Sequence, residues 1–116
     1  MELRDLVEDR MISPDRLARH LKTTKREIGE TLGIAPESLS RRTRIASVSV
    51  QTSLRHLVEI LNAVSPAVGN SLMAYAWYRS EPIVGFGGRT PEEIVKDGEN
   101  AALKSHILRR LEGGYA

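Results

Sequence analysis

The chain has no cysteine. Disulfides, thiol nucleophiles and thiolate metal ligands are therefore excluded. Aromatic residues are scarce, with one Trp, one Phe and three Tyr, so Trp77 and Phe86 stand out. No run approaches the roughly 18 apolar residues that a membrane-crossing helix needs. The opening MELRDLVEDR mixes both charges and has no apolar signal core, so the reading is a cytoplasmic protein without a membrane partner. His20, His56 and His106 are scattered, with no metal-ligand spacing. There is no G-x-S-x-G, no convincing pair of carboxylates, and no glycine loop that follows a strand; GFGGRT follows a helical stretch instead. An enzyme is not expected, nor a cofactor or a metal.

What is present is charge in patches. The net charge is only +2. Residues 1–50 hold ten Lys/Arg against eight Asp/Glu, whereas 51–116 hold seven of each. Arg16, Arg19, Lys22, Lys25 and Arg26 form one acid-free cluster, and Arg41, Arg42 and Arg44 a second. Such local surpluses attract phosphate backbones.

The apolar rhythm is helical throughout, with no alternating strand pattern of useful length. The fold class expected is all-α, divided into a helix-turn-helix module over 1–48 and a helical domain over 49–116. Leu3, Leu6, Val7 and Met11 suggest a short leading helix. Ser13-Pro14-Asp15 reads as a new start, and Leu17, Ala18 and Leu21 supply its apolar stripe. Thr24 and Glu27 form a capping box for a helix that buries Ile28 and Leu32 and stops at Gly33. Pro36 opens the next helix, bearing Leu39 and then Arg41 and Arg42. Ala46–Ser53 reads as a linker. Leu54, Leu57, Val58, Leu61 and Val64 form a clear stripe. Ser65-Pro66 marks a further start, with Val68, Leu72, Met73, Ala76 and Trp77 as the buried face. Leu103, Ile107, Leu108 and Leu111 form the last stripe, closed by Gly113-Gly114.

Two short helices joined by a glycine turn make a helix-turn-helix when apolar positions hold them near a right angle. Ile28, Leu32, Ile34 and Leu39 are those positions, and Gly29 lies where the helices would cross. The second helix would then offer Glu37, Ser38, Ser40 and Arg41 to a major groove, with Thr23, Thr24, Lys25 and Arg26 near phosphates. Arg41, Arg42 and Arg44 would divide between guanine edges and phosphates. Residues 22–44 resemble the DNA-binding helix-turn-helix of the Xre/Cro repressor family. Arg42 departs from that pattern, which often has an apolar residue there.

Arg79–Gly98 breaks the helical rhythm. Gly85, Gly87 and Gly88 permit positive φ, and Thr90-Pro91 with Glu93 restarts a helix through a capping box. The order Trp77, Glu81-Pro82, Gly87-Gly88-Arg89-Thr90-Pro91-Glu92-Glu93, Asp97-Gly98 and a terminal Leu111-Glu112-Gly113-Gly114-Tyr115-Ala116 resembles the toxin-binding domain of the MbcA/ParS/Xre antitoxins. That resemblance implies a non-catalytic antitoxin that docks on a RES-domain toxin, an NAD-consuming or ADP-ribosylating enzyme, blocks its active site, and represses its own operator. It implies toxin contacts at Phe86, Arg89, Glu92 and Glu93 and at the tail Gly114, Tyr115 and Ala116. The tail's carboxylate and aromatic ring would suit an electropositive dinucleotide pocket. Partners expected are the toxin, operator DNA and a higher hetero-oligomer with the toxin; a homodimer is expected because helix-turn-helix repressors read two half-sites, joined through the C-terminal helices because the short N-terminal module has little apolar surface to spare. A stand-alone Xre-type regulator without a toxin, and a pure interaction module without DNA binding, remain open. Asp97 is assigned an internal structural role, and Trp77 to the core.

Overall fold

The computed structural model describes residues 1–113; the expected tail contacts Gly114, Tyr115 and Ala116 lie outside them. Among the described residues the fold is all-α with one two-residue-per-strand hairpin. The chain divides into two compact units, Met1–Glu59 and Ile60–Ala116. The division falls within a long helix rather than in a linker before it.

In the first unit, α1 (Leu3–Leu6) is a single turn. The expected continuation to Met11 does not occur. Val7–Glu8 (β1) pairs antiparallel with Met11–Ile12 (β2), and Asp9 and Arg10 at the tip both have positive φ, 52° and 66°. Two successive positive φ values match the twist of a hairpin, which favours such turns. The spacing of Leu6 and Met11 mimics a helix, but Leu6 and Ile12 are the buried pair.

α2 (Pro14–His20) starts at Ser13, whose hydroxyl accepts from the Arg16 N–H as expected of an N-cap. The Arg16 guanidinium donates to the Val7 carbonyl at 2.8 Å and pairs with Glu8, fastening the hairpin to α2. α3 (Lys25–Leu32) is capped by Thr24 and ends at Gly33, which is left-handed with φ 70°. The Ile34 N–H reaches back to the Gly29 carbonyl and the Gly33 N–H to Glu30, the double closure of a Schellman motif. α4 (Pro36–Ser40) follows after three residues. A Cβ on Gly29 would lie 3.0 Å from the Ile34 carbonyl oxygen and 3.1 Å from Leu39 Cδ1. Gly29 is therefore where α3 and the turn into α4 come together, and a side chain there would press on both.

α4 is shorter than expected. Arg41 is extended (φ −96°, ψ 124°), and a separate turn, α5 (Arg42–Ile45), follows. α6 (Val48–Val68) then runs for 21 residues. The expected linker Ala46–Ser53 is thus largely helix. Gln51 explains why: it accepts from the Ile12 N–H (2.8 Å) and donates to the Ile12 and Ile45 carbonyls (3.1 and 3.0 Å). These bonds pair the orphaned backbone groups of β2 and of the α5 end. Leu6, Leu17, Leu21, Ile28, Leu39, Leu54 and Leu57 make the core of this unit.

In the second unit, α6 continues through Pro66 instead of restarting there, and stops at Gly69 (φ 124°). Asn70 caps α7 (Ser71–Ser80), its side chain accepting from the Met73 N–H. The buried face of α7 is Ala74, Tyr75 and Tyr78, not the expected Leu72, Met73 and Ala76. Leu72 and Met73 are 38% and 54% exposed. Hydropathy alone favours the Leu/Met side, but a tyrosine buries a larger ring and covers more area. After α7, residues 81–90 form a compact loop closed by the Ile83 N–H donating to the Arg89 carbonyl (2.9 Å). α8 (Pro91–Lys96) carries the complete Thr90/Glu93 capping box. It ends in a second Schellman motif at Gly98, and α9 (Asn100–Gly113) completes the described chain.

Candidate functional site

The expected DNA-facing side chains of the first unit fall into three groups. Some cap or support the local fold. Thr24 is the N-cap of α3, the Thr23 hydroxyl donates to the Glu27 carboxylate, and the Ser40 hydroxyl donates back to the Pro36 carbonyl at 3.0 Å. Others are cations held by acids. Lys25 lies 3.8 Å from Asp15, Arg26 pairs with Glu30 one turn on, and Arg42 pairs with Asp9 at the hairpin tip. The remainder are open: Glu37, Arg41 and Arg44 are exposed and Ser38 is half-buried. Among the described residues neither Arg41 nor Arg44 makes an ion pair, so of the cations expected to face DNA these two are open to an anionic partner.

The Arg42 departure from the Xre/Cro pattern now has a local account. In the structure this position is not a core position; it is solvent-facing and takes an acid from the hairpin. The break at Arg41 turns it away from the line of α4, since an extended residue cannot continue the helical path. Sequence periodicity missed the Asp9–Arg42 pairing because the partners are 33 positions apart.

Every expected contact of the second unit within the described residues already has a partner in the chain. Phe86 packs edge-on against His106, with ring centroids 5.4 Å apart. Arg89 donates from Nε to the Phe86 carbonyl (2.9 Å) and from one terminal nitrogen to Asp97 (2.9 Å) and Glu99. These hydrogen bonds hold the guanidinium firmly protonated, and Arg89 lowers the Glu99 carboxyl pKa. Asp97 therefore has the internal role assigned to it, through Arg89. Glu92 bridges Arg79 and Lys96 at 3.6 and 3.1 Å. Glu93 accepts from the Thr90 N–H and hydroxyl, which lower its pKa. This cluster ties the 81–90 loop to α8 and to the start of α9.

The surface of this unit that sequence reasoning did not find is an apolar groove. It holds about 250 Å³ and is walled by Val64, Val68, Trp77, Ile83, Val84 and Leu111. Trp77, expected in the core, is a half-buried wall of this groove. Val84 is 79% exposed at its edge. The signal that could have found it is Val84 itself, a valine in a loop between Ile83 and Gly85 with no helical stripe to bury it. Among the described residues no single helix is long and apolar enough to cross a membrane.

No protein-family model matches this chain, and neither a curated protein nor a solved structure matches it.

Proposed function

We propose that the chain is the antitoxin of a toxin–antitoxin pair. Its first unit binds operator DNA as an autorepressor, and its second unit binds a RES-type toxin and occludes its active site. It acts in the cytoplasm as a non-catalytic homodimer. The observation that carries the DNA half is the α3–turn–α4 unit. Gly29 packs against the turn and Leu39, Gly33 is left-handed, and Arg41 and Arg44 are unpaired beside it. The toxin half rests on the resemblance of Trp77 through Asp97-Gly98 and the tail to the MbcA/ParS/Xre domain. An apolar groove walled by Trp77 and Val84 suits a protein partner, because exposed apolar patches of this kind mark interaction surfaces.

The test has two arms. Binding to a duplex bearing the chain's own promoter is measured against salt, and affinity falls steeply if several phosphates are contacted. The product of the adjoining reading frame is co-expressed with and without this chain, which restores growth and copurifies. Salt-insensitive or absent DNA binding removes the repressor half. A toxic neighbour that the chain neither binds nor neutralises removes the antitoxin half.

A further inference from the structure

We propose that the N-terminal hairpin and the start of α2 form an acidic clamp that competes with DNA phosphates for two of the cations beside α4, restraining DNA binding in cis. The inference rests on the DNA-binding reading of the first unit. It begins from an asymmetry among the cations. Lys25 and Arg42 come from α3 and α5, either side of the α4 helix, and both are covered from the N-terminal side by a carboxylate. Asp15, in the first turn of α2, lies 3.8 Å from Lys25, and Asp9, at the hairpin tip, pairs with Arg42. All four side chains line one cleft of about 220 Å³, together with Glu8 and Ser40.

The clamp is positioned rather than incidental. Asp9 sits at φ 52°, a conformation that Asp and Asn tolerate better than most residues. Arg16 holds the hairpin through the Val7 carbonyl and Glu8, and Gln51 holds β2 through Ile12. Asp9 thus stands on a pinned hairpin and Asp15 on the first turn of α2 beside it, facing cations on α5 and α3. The pairs are also releasable. Arg42 and Asp9 are 76% and 53% exposed, and exposed pairs are weak enough for a phosphate to displace. A duplex that engages Lys25 or Arg42 must break the pair and bring a phosphate beside the released carboxylate. Arg41 and Arg44, which have no acid across from them, carry the initial contact.

The experiment compares the full chain with Asp9→Asn/Asp15→Asn by fluorescence anisotropy on a labelled duplex carrying its own promoter, across a salt series. Asn keeps the shape at both positions and suits the positive φ of residue 9. Glu2→Gln/Asp5→Asn, which removes two charges from α1 and the residue before it, controls for net charge. The expected result is about tenfold tighter binding by the clamp variant than by the wild type at low salt. Its log–log salt slope steepens by about 0.9 for each cation released to a phosphate. The control gains distinctly less, and adding Arg42→Ala to the clamp variant cancels part of the gain. Equal affinities for clamp variant and control overturn the proposal while leaving DNA binding intact. A clamp variant that melts at lower temperature with unchanged affinity reduces the pairs to a stabilising role and also overturns it. Absence of DNA binding by every variant removes the DNA reading and the clamp with it.

Discussion

Single residues decide how the first unit is joined. A methyl group on Gly29 would press on a backbone carbonyl and on the fully buried Leu39. Neither neighbour is a free chain end that can swing aside. Replacing a helical glycine by alanine normally gains up to about 1 kcal/mol of helix propensity. Here overpacking, typically about 1–3 kcal/mol, outweighs it. Gly29→Ala should therefore lower the urea midpoint of unfolding, and Gly29→Val should lower it further; a stabilised Gly29→Ala would show that α3 and the turn have room to part. Arg10 gives the opposite expectation. It holds a φ of 66° that glycine adopts freely. Arg10→Gly should raise stability by about 0.5–1 kcal/mol, read from the thermal midpoint, because glycine is the favoured residue in such a hairpin turn. These two residues also differ in legibility. Gly29 follows from helix spacing alone. Asp9-Arg10 lacks the Asn-Gly or Asp-Gly signature, so the hairpin was hidden beneath an apolar spacing that also fits a helix.

At the scale of elements, the caps were readable, and so were the apolar faces of α2 and α6, whose expected stripes Leu17, Ala18, Leu21 and Leu54, Leu57, Val58, Leu61, Val64 are all buried; the face of α7 was not. Ser13, Thr24 and Thr90 cap helices where the sequence places them, since each accepts from the N–H three residues on, a purely local bond. The buried face of α7 required its neighbours, because Tyr75 and Tyr78 compete with Leu72 and Met73 and only packing ranks them. The start of α6 likewise depends on a partner far away in sequence. Gln51 satisfies three backbone groups, at Ile12 and Ile45. Gln51→Ala should destabilise the first unit by about 1–3 kcal/mol, since these groups are left without partners in a partly buried site. Hydrogen exchange gives the check: the Ile12 amide should lose protection first. If protection at Ile12 is unchanged, water replaces the side chain and the element is not held by Gln51.

For the whole molecule, two carboxylates of the second unit contribute an acid response. Glu93 and Glu99 both have folded pKa values below their ordinary value. Each therefore contributes stability that is present in full above the unfolded carboxylate pKa, about 4.3. That contribution is lost as pH falls from there through the lower folded value, because the unfolded chain binds the proton more readily. Stability should be flat with respect to these groups near neutrality and decline below about pH 5. Arg89→Met removes the hydrogen bond, and with it the charge, that lowers the Glu99 pKa. It should lower the urea midpoint at pH 7 and make the decline below pH 5 shallower, while the Thr90-bound Glu93 keeps part of it. An identical pH profile for Arg89→Met would mean that the Arg89 cluster does not hold the loop.

Taken by itself, the sequence determined the all-α class, the glycine turn between α3 and α4 and the capped start of α8. All of these depend on contacts within a turn or two of chain. It also marked the basic clusters, though not their state of pairing. Tertiary structure decided that Arg42 faces Asp9, that Arg89, Glu92 and Glu93 are bound within the loop–helix cluster, and that Trp77 walls a groove. Those outcomes depend on which distant side chains and backbone groups meet. Periodicity along the chain records which way a residue points, and only the fold supplies what it points at.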